Sequence, residues 1–590
     1  MKVKHAFTNP IADRPGFDGT QPSHWNADHT IEGEYATRTA AAAATISTGV
    51  DYLRTAGYSS PGDGGGALYK RVSSEPSHAG KFQSADGAWF ELAERIVSPR
   101  MFGAKGDGVT DDTAALNAFW SYLLANPNQP YDVNGNFAVP AGTENRARIG
   151  SIRTPRGFVW DSNRLPFTAW RDANGRIQWE VDPKRLIPTE VWTAPLATQV
   201  FHVDPISGND STGTGIGTYR FDFSTAVKTL TKAITLANAT ENPSQIIVKC
   251  DSSPWMTRGQ SGQSSGARNN SVALAVIAYG GRLRITASDA HTWAQDGTYT
   301  NTYSTSESNC SGVFDLLNTQ IIEGKTLYQH LTKAADLATC NSTPGTWINT
   351  GGKTYVRRAD GAAVTDANTL TLRNDRGLSV EGAASSYWQG IDFEGGFRSI
   401  TAQTKNVVAE DCRARYGQLE VTTGQCWAFD NLTGVIALIN CEGDMAGADL
   451  FNFKQAAGRS FALLAGCSGV SAGHSGTGSS NGLTGHEDCV VVDIGGNYRK
   501  AKGGTIRFVN SSQLWAIGTQ ARYDQGDGVT RSEFVANTQA QIWLDDTVAE
   551  ADAADINALA ATTAASRIHK RNHTTLVGLE TGSGVVDTPL

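Results

Sequence analysis

Charge is scarce in this chain. Only 18% of its 590 residues are Asp, Glu, Lys or Arg, which argues against a long charged helical bundle. The balance is −8 at neutral pH, with a pI near 5.8. No basic footprint exists, so nucleic acid is not expected as a partner. No run of about 18 apolar residues occurs, and membrane insertion through a helix is therefore not expected. The start, Met1-Lys-Val-Lys-His-Ala-Phe7, carries two lysines without the apolar stretch of a secretory leader. Cysteine is thin, eight in the whole chain, with no close-spaced pair of the zinc-ribbon kind. The thiols are expected to be reduced, and neither a metal nor a cofactor is expected. The glycine string Gly62-Asp-Gly-Gly-Gly66 lacks the Lys-Ser or Lys-Thr that would make it a phosphate cradle.

Glycine itself is abundant, at 63 residues, and favours a chain of many strands and turns. The length exceeds one ordinary core but suits a solenoid, where each coil touches only its neighbours. Short apolar strands ending in turns recur at Gly390–Gly396, Val407–Cys412, Ile436–Cys441, Phe461–Cys467 and Asp488–Gly496. The cysteine spacing of 29, 26 and 22 residues through positions 412, 441, 467 and 489 is that of a solenoid coil. With coils stacked roughly 4.8 Å apart, Cys412, Cys441 and Cys467 are predicted to form a ladder inside the coil.

The stretch Phe102-Gly-Ala-Lys-Gly-Asp-Gly-Val-Thr-Asp-Asp-Thr-Ala-Ala-Leu116 combines a glycine turn, helix-capping aspartates and an apolar helical face at Leu116, Phe119, Trp120 and Leu123. Residues 102–115 resemble the N-terminal signature of pectate-lyase-like right-handed parallel β-helix proteins, common among phage tailspikes and tail fibres. The resemblance implies an all-β solenoid whose open end is plugged by that helix, assembled as a homotrimer with itself. Two further stretches share the likeness, Gly57–Tyr69 as a linker module and Phe201–Ile234 as a second β-helix opening. Residues 1–34, with Phe17, Trp25 and His29, resemble the openings of tail fibres that dock onto a phage tail or baseplate protein. The implied organisation is a virion anchor and alanine-rich helical neck over 1–56, a small β linker module over 57–100, and a capping helix with an inserted β region over 101–200. The parallel β-helix body follows over 201–548, then a helical cap or trimer clasp over 549–590. The implied place is the virion tail tip, in a protein made in the host cytoplasm and released by lysis.

The implied function is attachment to the host through cell-surface polysaccharide, with depolymerase activity open between hydrolysis and β-elimination. A purely structural fibre or baseplate role is the alternative. Either chemistry needs acids and bases projecting outward from the coil. In Leu450–Gln455, burying Phe451 and Phe453 turns Asn452 and Lys454 outward. The preceding stretch reads as a turn carrying Asp444 and Asp449, and a later turn brings His474, His486, Glu487 and Asp488. Asp444, Asp449, His486, Glu487 and Asp488 are the catalytic candidates, against the plainer reading of solvated turn residues. Asn452, Lys454 and His474, with Trp388, Tyr416 and Trp515 as stacking platforms, are the carbohydrate-binding candidates.

Overall fold

The computed structural model describes residues 2–3, 29–30, 33–126, 129, 136–138, 169–171, 177–179, 182–252, 254–261, 268–374, 378–381, 384–395, 398–402, 406–420, 424–430, 434–454, 461–474, 480–522, 532–551, 557–570 and 575–587. The chain divides into two compact units, 1–181 (with the last residue) and 182–589. Phe17 and Trp25 lie outside the described residues, as does the side chain of His29.

The first unit is built on a five-stranded sheet in the order Glu34–Tyr35, Tyr52–Thr55, Leu68–Val72, Trp89–Leu92, Lys81–Gln83. Residues expected in separate neck and linker modules thus share one sheet. The alanine tract forms only a short helix, Arg38–Ala42, capped by the Thr37 hydroxyl on the Ala40 N–H. Its continuation is not a helical neck. Ile46 is pinned by its N–H to Asp86, Leu53 is in a strand, and both are buried with Tyr69, Phe82 and Phe90. The Gly57–Tyr69 run wraps the Asp63 carboxylate, which accepts N–H bonds from Tyr58, Ser59, Ser60 and Gly65. Those donors are the ones a phosphate would have needed.

Asp112 precedes the helix Thr113–Ala125 and accepts N–H bonds from Lys105 (2.6 Å) and Gly106 (3.1 Å), closing the glycine turn. Phe119 and Tyr122 pack with Phe102 and the aromatic face of the small sheet. Within the second unit, the helix Leu230–Ala239 lies against the first coils. Its apolar face, Leu230, Ala233, Ile234 and Ala237, joins the core of the first coils beside Phe201, Ile246 and Met256.

The second unit is a right-handed parallel β-helix. Each full coil contributes one strand to each of three parallel sheets, of 12, 10 and 10 strands among the described residues, the first sheet also holding Val200–Val203 and Val585–Asp587 at the two ends of the stack. One full turn runs through Val407–Glu410 in the first sheet, Arg413–Gly417 in the second and Gln425–Asp430 in the third, and returns at Val435–Ile439 beside the start. The first corner needs a single left-handed residue, supplied by Asp411 (φ 52°), Asn440 (φ 51°) and Gly466 (φ 65°) on successive coils. The residue after each is Cys412, Cys441 or Cys467, all buried in the core and vertically aligned by the strand register on either side. Cys489 is not the next member. Register places Gly496 there, and Cys489 sits before the following first-sheet strand. Aromatic rings also stack along the axis, Trp427 on Phe451 and Phe429 on Phe453 at centroid distances of 6.3 and 5.2 Å.

Coil strands continue to Val585–Asp587, so the helical cap expected from Ala549 is absent among the described residues, and Asn557–Ala561 is a third-sheet strand. Alanine serves here as a small inward residue, Ala558 and Ala561 being core, rather than as a helix former. One large insertion separates Leu283–Thr286 from Leu378–Glu381. It holds an antiparallel hairpin, Cys310–Ile322 with Lys325–His330, and a five-stranded sheet.

Candidate functional site

Alternation in the third sheet sends Phe429, Phe451, Phe453, Leu483, Ile506 and Phe508 into the core. The intervening Asn452, Thr484 and Arg507, aligned by register, form an outward column, and Lys454 ends its strand exposed. Asp449 stands at the edge of this column. Its Oδ2 accepts a bond from Asn452 Nδ2 (3.0 Å), and its Oδ1 accepts from Asn481 N (2.8 Å) and Nδ2 (3.0 Å). Asn481 is the residue one coil onward, fixed there by the Leu450 N–H on its carbonyl. His486 follows the next third-sheet strand and is tied by its N–H to the Phe453 carbonyl (2.9 Å).

Asp449 and His486 feel each other's charge. Burial pushes the Asp449 carboxyl up from its usual range despite its bonds from Asn481 and the nearby His486. Burial also pushes the His486 imidazole down, against the pull of Asp449 and Glu487 and with the push of Lys454 and Arg507. Burial thus works against the charged form of each group, with Asp449 at one end of the outward column and His486 at the other. Around them, Asn452 Oδ1, Asn481 Oδ1 and Thr484 Oγ are buried with no hydrogen-bond partner among the described residues. Such atoms call for water or ligand hydroxyls.

The other candidates stand elsewhere. Glu487 and Asp488 lie half-buried on the turn that leaves the third sheet for the first, where Glu487 (φ 53°) donates its N–H to Asn510. His474 follows the second-sheet strand Ser468–Ala472, and Asn481 precedes the third-sheet strand Leu483–Gly485.

Asp444 belongs to a different structure altogether. It lies on the second-sheet strand Glu442–Ala446, not on a turn, and is 0% exposed. The outer face of that sheet carries a ladder of alternating charge: Arg282 pairs with Asp392, Arg284 with Glu394, and Arg415 with Glu442 and Asp444. Lys325 of the inserted hairpin closes it from above, 3.0 Å from Asp444 and 3.4 Å from Glu442. Asp444 is sealed under the hairpin by its ion pairs, so it is withdrawn as a catalytic acid. The stacking platforms are corrected too. Trp388 is a core residue at 2% exposure, its indole N–H bonded to Ser386. Tyr416 is buried beneath the hairpin, its hydroxyl accepting the Tyr328 N–H. Trp515, 5% exposed, stacks on Trp543 at 4.4 Å on the outer side of the first sheet.

No protein-family model matches the chain, and no curated protein sequence does. Solved structures similar to it include a pectate lyase, at 11% identity and a TM-score of 0.36, covering 67% of this chain and 80% of that one. They also include tailspike protein 2 of an Escherichia coli O157:H7 bacteriophage, at 10% identity and 0.25, covering 92% and 52%. A third is the tailspike of an Acinetobacter baumannii bacteriophage, a capsular polysaccharide depolymerase, at 10% and 0.23, covering 91% and 73%. The fold follows from the strand order and register above, not from these likenesses.

Asn481, Thr484 and Arg507 were not singled out by sequence. Their signal is the register itself: once Phe451 is aligned with Leu483, Asp449 falls beside Asn481 and Asn452 beside Thr484. Among the described residues, no group of three His, Cys, Asp or Glu side chains stands close enough to hold a metal ion.

Proposed function

We propose that this chain is a phage tailspike or tail fibre that grips host-surface polysaccharide against the outer face of the third sheet and cleaves it there. The observation that carries this is the outward column of Asn452 and Thr484 with Asp449 at its edge, where Asn452, Asn481 and Thr484 each hold a buried polar atom with no hydrogen-bond partner among the described residues. The resemblance of residues 102–115 to the tailspike β-helix signature supplies the biological setting. In it, residues 1–34 dock to the tail or baseplate, three copies assemble, and the protein sits at the virion tail tip. Asn452, Thr484 and Lys454 hold sugar hydroxyls and ring substituents, Asp449 serves as the acid that passes a proton to the leaving oxygen, and His486 takes one from water or from the sugar ring. Glu487 and Asp488 flank the site on the adjoining turn and serve binding.

The test is incubation of the purified chain with host-surface polysaccharide, followed by assays of new reducing ends and of the unsaturated-uronate absorbance band. Reducing ends alone mean hydrolysis, and both signals mean β-elimination. Asp449→Asn and His486→Gln are expected to lower the rate about 10²–10⁴-fold, the usual worth of a positioned acid or base, His486→Gln with an unchanged thermal midpoint and Asp449→Asn with a lower one, since its amide nitrogen must face an Asn452 or Asn481 donor. Variants that cleave like the parent would refute the assignment. A chain that neither binds nor cleaves the polymer would favour a structural fibre.

A further inference from the structure

We infer that the corner where the first sheet turns toward the second on the early coils, formed by Tyr219, Phe221, Phe223 and Tyr279 with Lys249 and Asp251, is a separate saccharide site that takes a neutral pyranose by stacking. It lies three coils before the Asp449 site and on another edge of the prism. The inference therefore goes beyond the reading above and does not rest on it.

Hydrogen bonds hold this corner in place without a ligand. The Asp222 carboxylate accepts from the Thr218 N–H (2.8 Å) and hydroxyl (2.9 Å) and from the Ser224 N–H (3.0 Å), closing the loop that carries Tyr219, Phe221 and Phe223. The buried His202 ring has its Nε2 2.8 Å from the Arg220 carbonyl oxygen and meets Phe223 edge-on at 5.3 Å. Tyr279 ends the strand Leu274–Tyr279, in register with Lys249 on the coil before, and its carbonyl accepts the Cys250 N–H (2.7 Å). The rings fixed in this way still face water. Phe221 and Tyr279 stack at 4.2 Å with 14° between their planes, and Phe223 stands 6.2 Å from Tyr279 at 23°. Phe221 and Tyr279 each remain 41% exposed, and Tyr219 62%. Four aromatic side chains are strongly exposed among the described residues, and three of them stand here. Ordered aromatic rings left in water point to a ligand.

The groups around the rings choose the ligand. The C–H face of a pyranose stacks on an aromatic ring and needs a flat face rather than a cavity, while its hydroxyls need polar atoms at the rim. Asp251 supplies acceptors there: its side chain is 60% exposed, and its Oδ1 lies against Gly280, the residue after Tyr279, 3.4 Å from where a Cβ would stand. Lys249 Nζ lies 5.9 Å above the Phe223 ring and is already matched by Asp204 (3.5 Å) and Asp251 (3.8 Å). Arg220 turns its guanidinium back to Gln245 (2.6 Å). Lys249 and Arg220 against Asp204, Asp222 and Asp251 leave no surplus positive charge, so an acidic sugar gains nothing here and a neutral one suits the corner. A protein partner is disfavoured by area, since three partly exposed rings fall well short of the roughly 800 Å² that a stable interface takes from each side. The contacts are to side chains, so the strand amides keep their hydrogen bonds when sugar binds.

Saturation-transfer NMR titration of the full chain with cellobiose, lactose, maltose and N,N′-diacetylchitobiose tests the assignment. At least one of these neutral disaccharides is expected to bind, with transfer strongest to ring C–H protons. Phe221→Ala and Tyr279→Ala change exposed side chains, should leave the thermal midpoint unchanged, and should each weaken that binding about tenfold, the scale of a lost stacking contact. Binding to none of the four, or full binding in both ring variants, would overturn the inference. So would self-association of the parent, seen by sedimentation, that Phe221→Ala abolishes, because the rings would then be a contact between copies. Asp449→Asn separates this site from the one proposed for cleavage: it should lose cleavage and keep disaccharide binding. Intact cleavage without disaccharide binding would remove the stacking site alone, and disaccharide binding without cleavage in the parent would remove only the Asp449 reading.

Discussion

Asp493 points into the coil, 0% exposed, with Tyr498 (2.8 Å) and Thr519 (2.5 Å) donating to its carboxylate. No basic group contributes to its titration. Burial outweighs the two hydroxyl bonds and raises its pKa from 3.8 to about 6. Because the folded-state value lies above the unfolded one, the native coil retains a proton that the unfolded chain has lost between those two pH values. Its contribution to stability is thus complete below about pH 4, declines as pH rises to about 6, and is flat beyond. A shift of about two units corresponds to about 3 kcal/mol at neutral pH. Asp493→Asn mimics the protonated acid and removes this dependence. Urea unfolding of parent and variant, followed by tryptophan fluorescence between pH 4 and 7, isolates the term as a difference. The parent is expected to lose about 3 kcal/mol relative to the variant across that window. Parallel profiles, or a difference that grows toward low pH, would refute the reasoning.

Other consequences follow from the same geometry. Lys325→Met leaves Asp444 buried beneath the hairpin with one cation fewer and should cost about 3 kcal/mol, largely restored by adding Asp444→Asn, as read from denaturation midpoints of the double-mutant cycle. Burial pushes the thiols of Cys412, Cys426 and Cys467 up to about 12 and raises those of Cys441 and Cys489 as well. None of these five should react with Ellman's reagent at pH 8 until denaturant is added. Asn440→Val forces a β-branched residue into a left-handed corner and should destabilise by about 1–2 kcal/mol, whereas Asn440→Gly should be nearly neutral in the same melts.

The solenoid was legible because its period is written in small residues that recur at the same corner, and Cys412, Cys441 and Cys467 align as the spacing requires. Cys489 misled the count because coil lengths vary, and only strand register shows that Gly496 takes its place. Alternation around Phe451 and Phe453 placed Asn452 and Lys454 correctly, since a strand with a buried face has little freedom. Asp444 was misread because Glu442–Ala446 lacks an apolar run and looks like a turn. What makes it a strand is the charge ladder, whose members stand as far apart in sequence as Arg284 and Glu394, 110 residues. The insertion between them separates such partners beyond the reach of any local pattern. The alanine-rich segments failed for a related reason: intrinsic helix preference is weak, and packing in the small sheet and in the last coils overrides it.

The central claim is that the outer face of the third sheet is where polysaccharide lies. Hydrogen–deuterium exchange of the full chain, with and without surface polysaccharide from its host, tests it most directly. The account predicts protection concentrated at 449–454, 481–486 and 505–508, with the first-sheet strands unchanged. Protection confined to the first sheet or to the unit over 1–181, with the third-sheet segments unaffected, would contradict it.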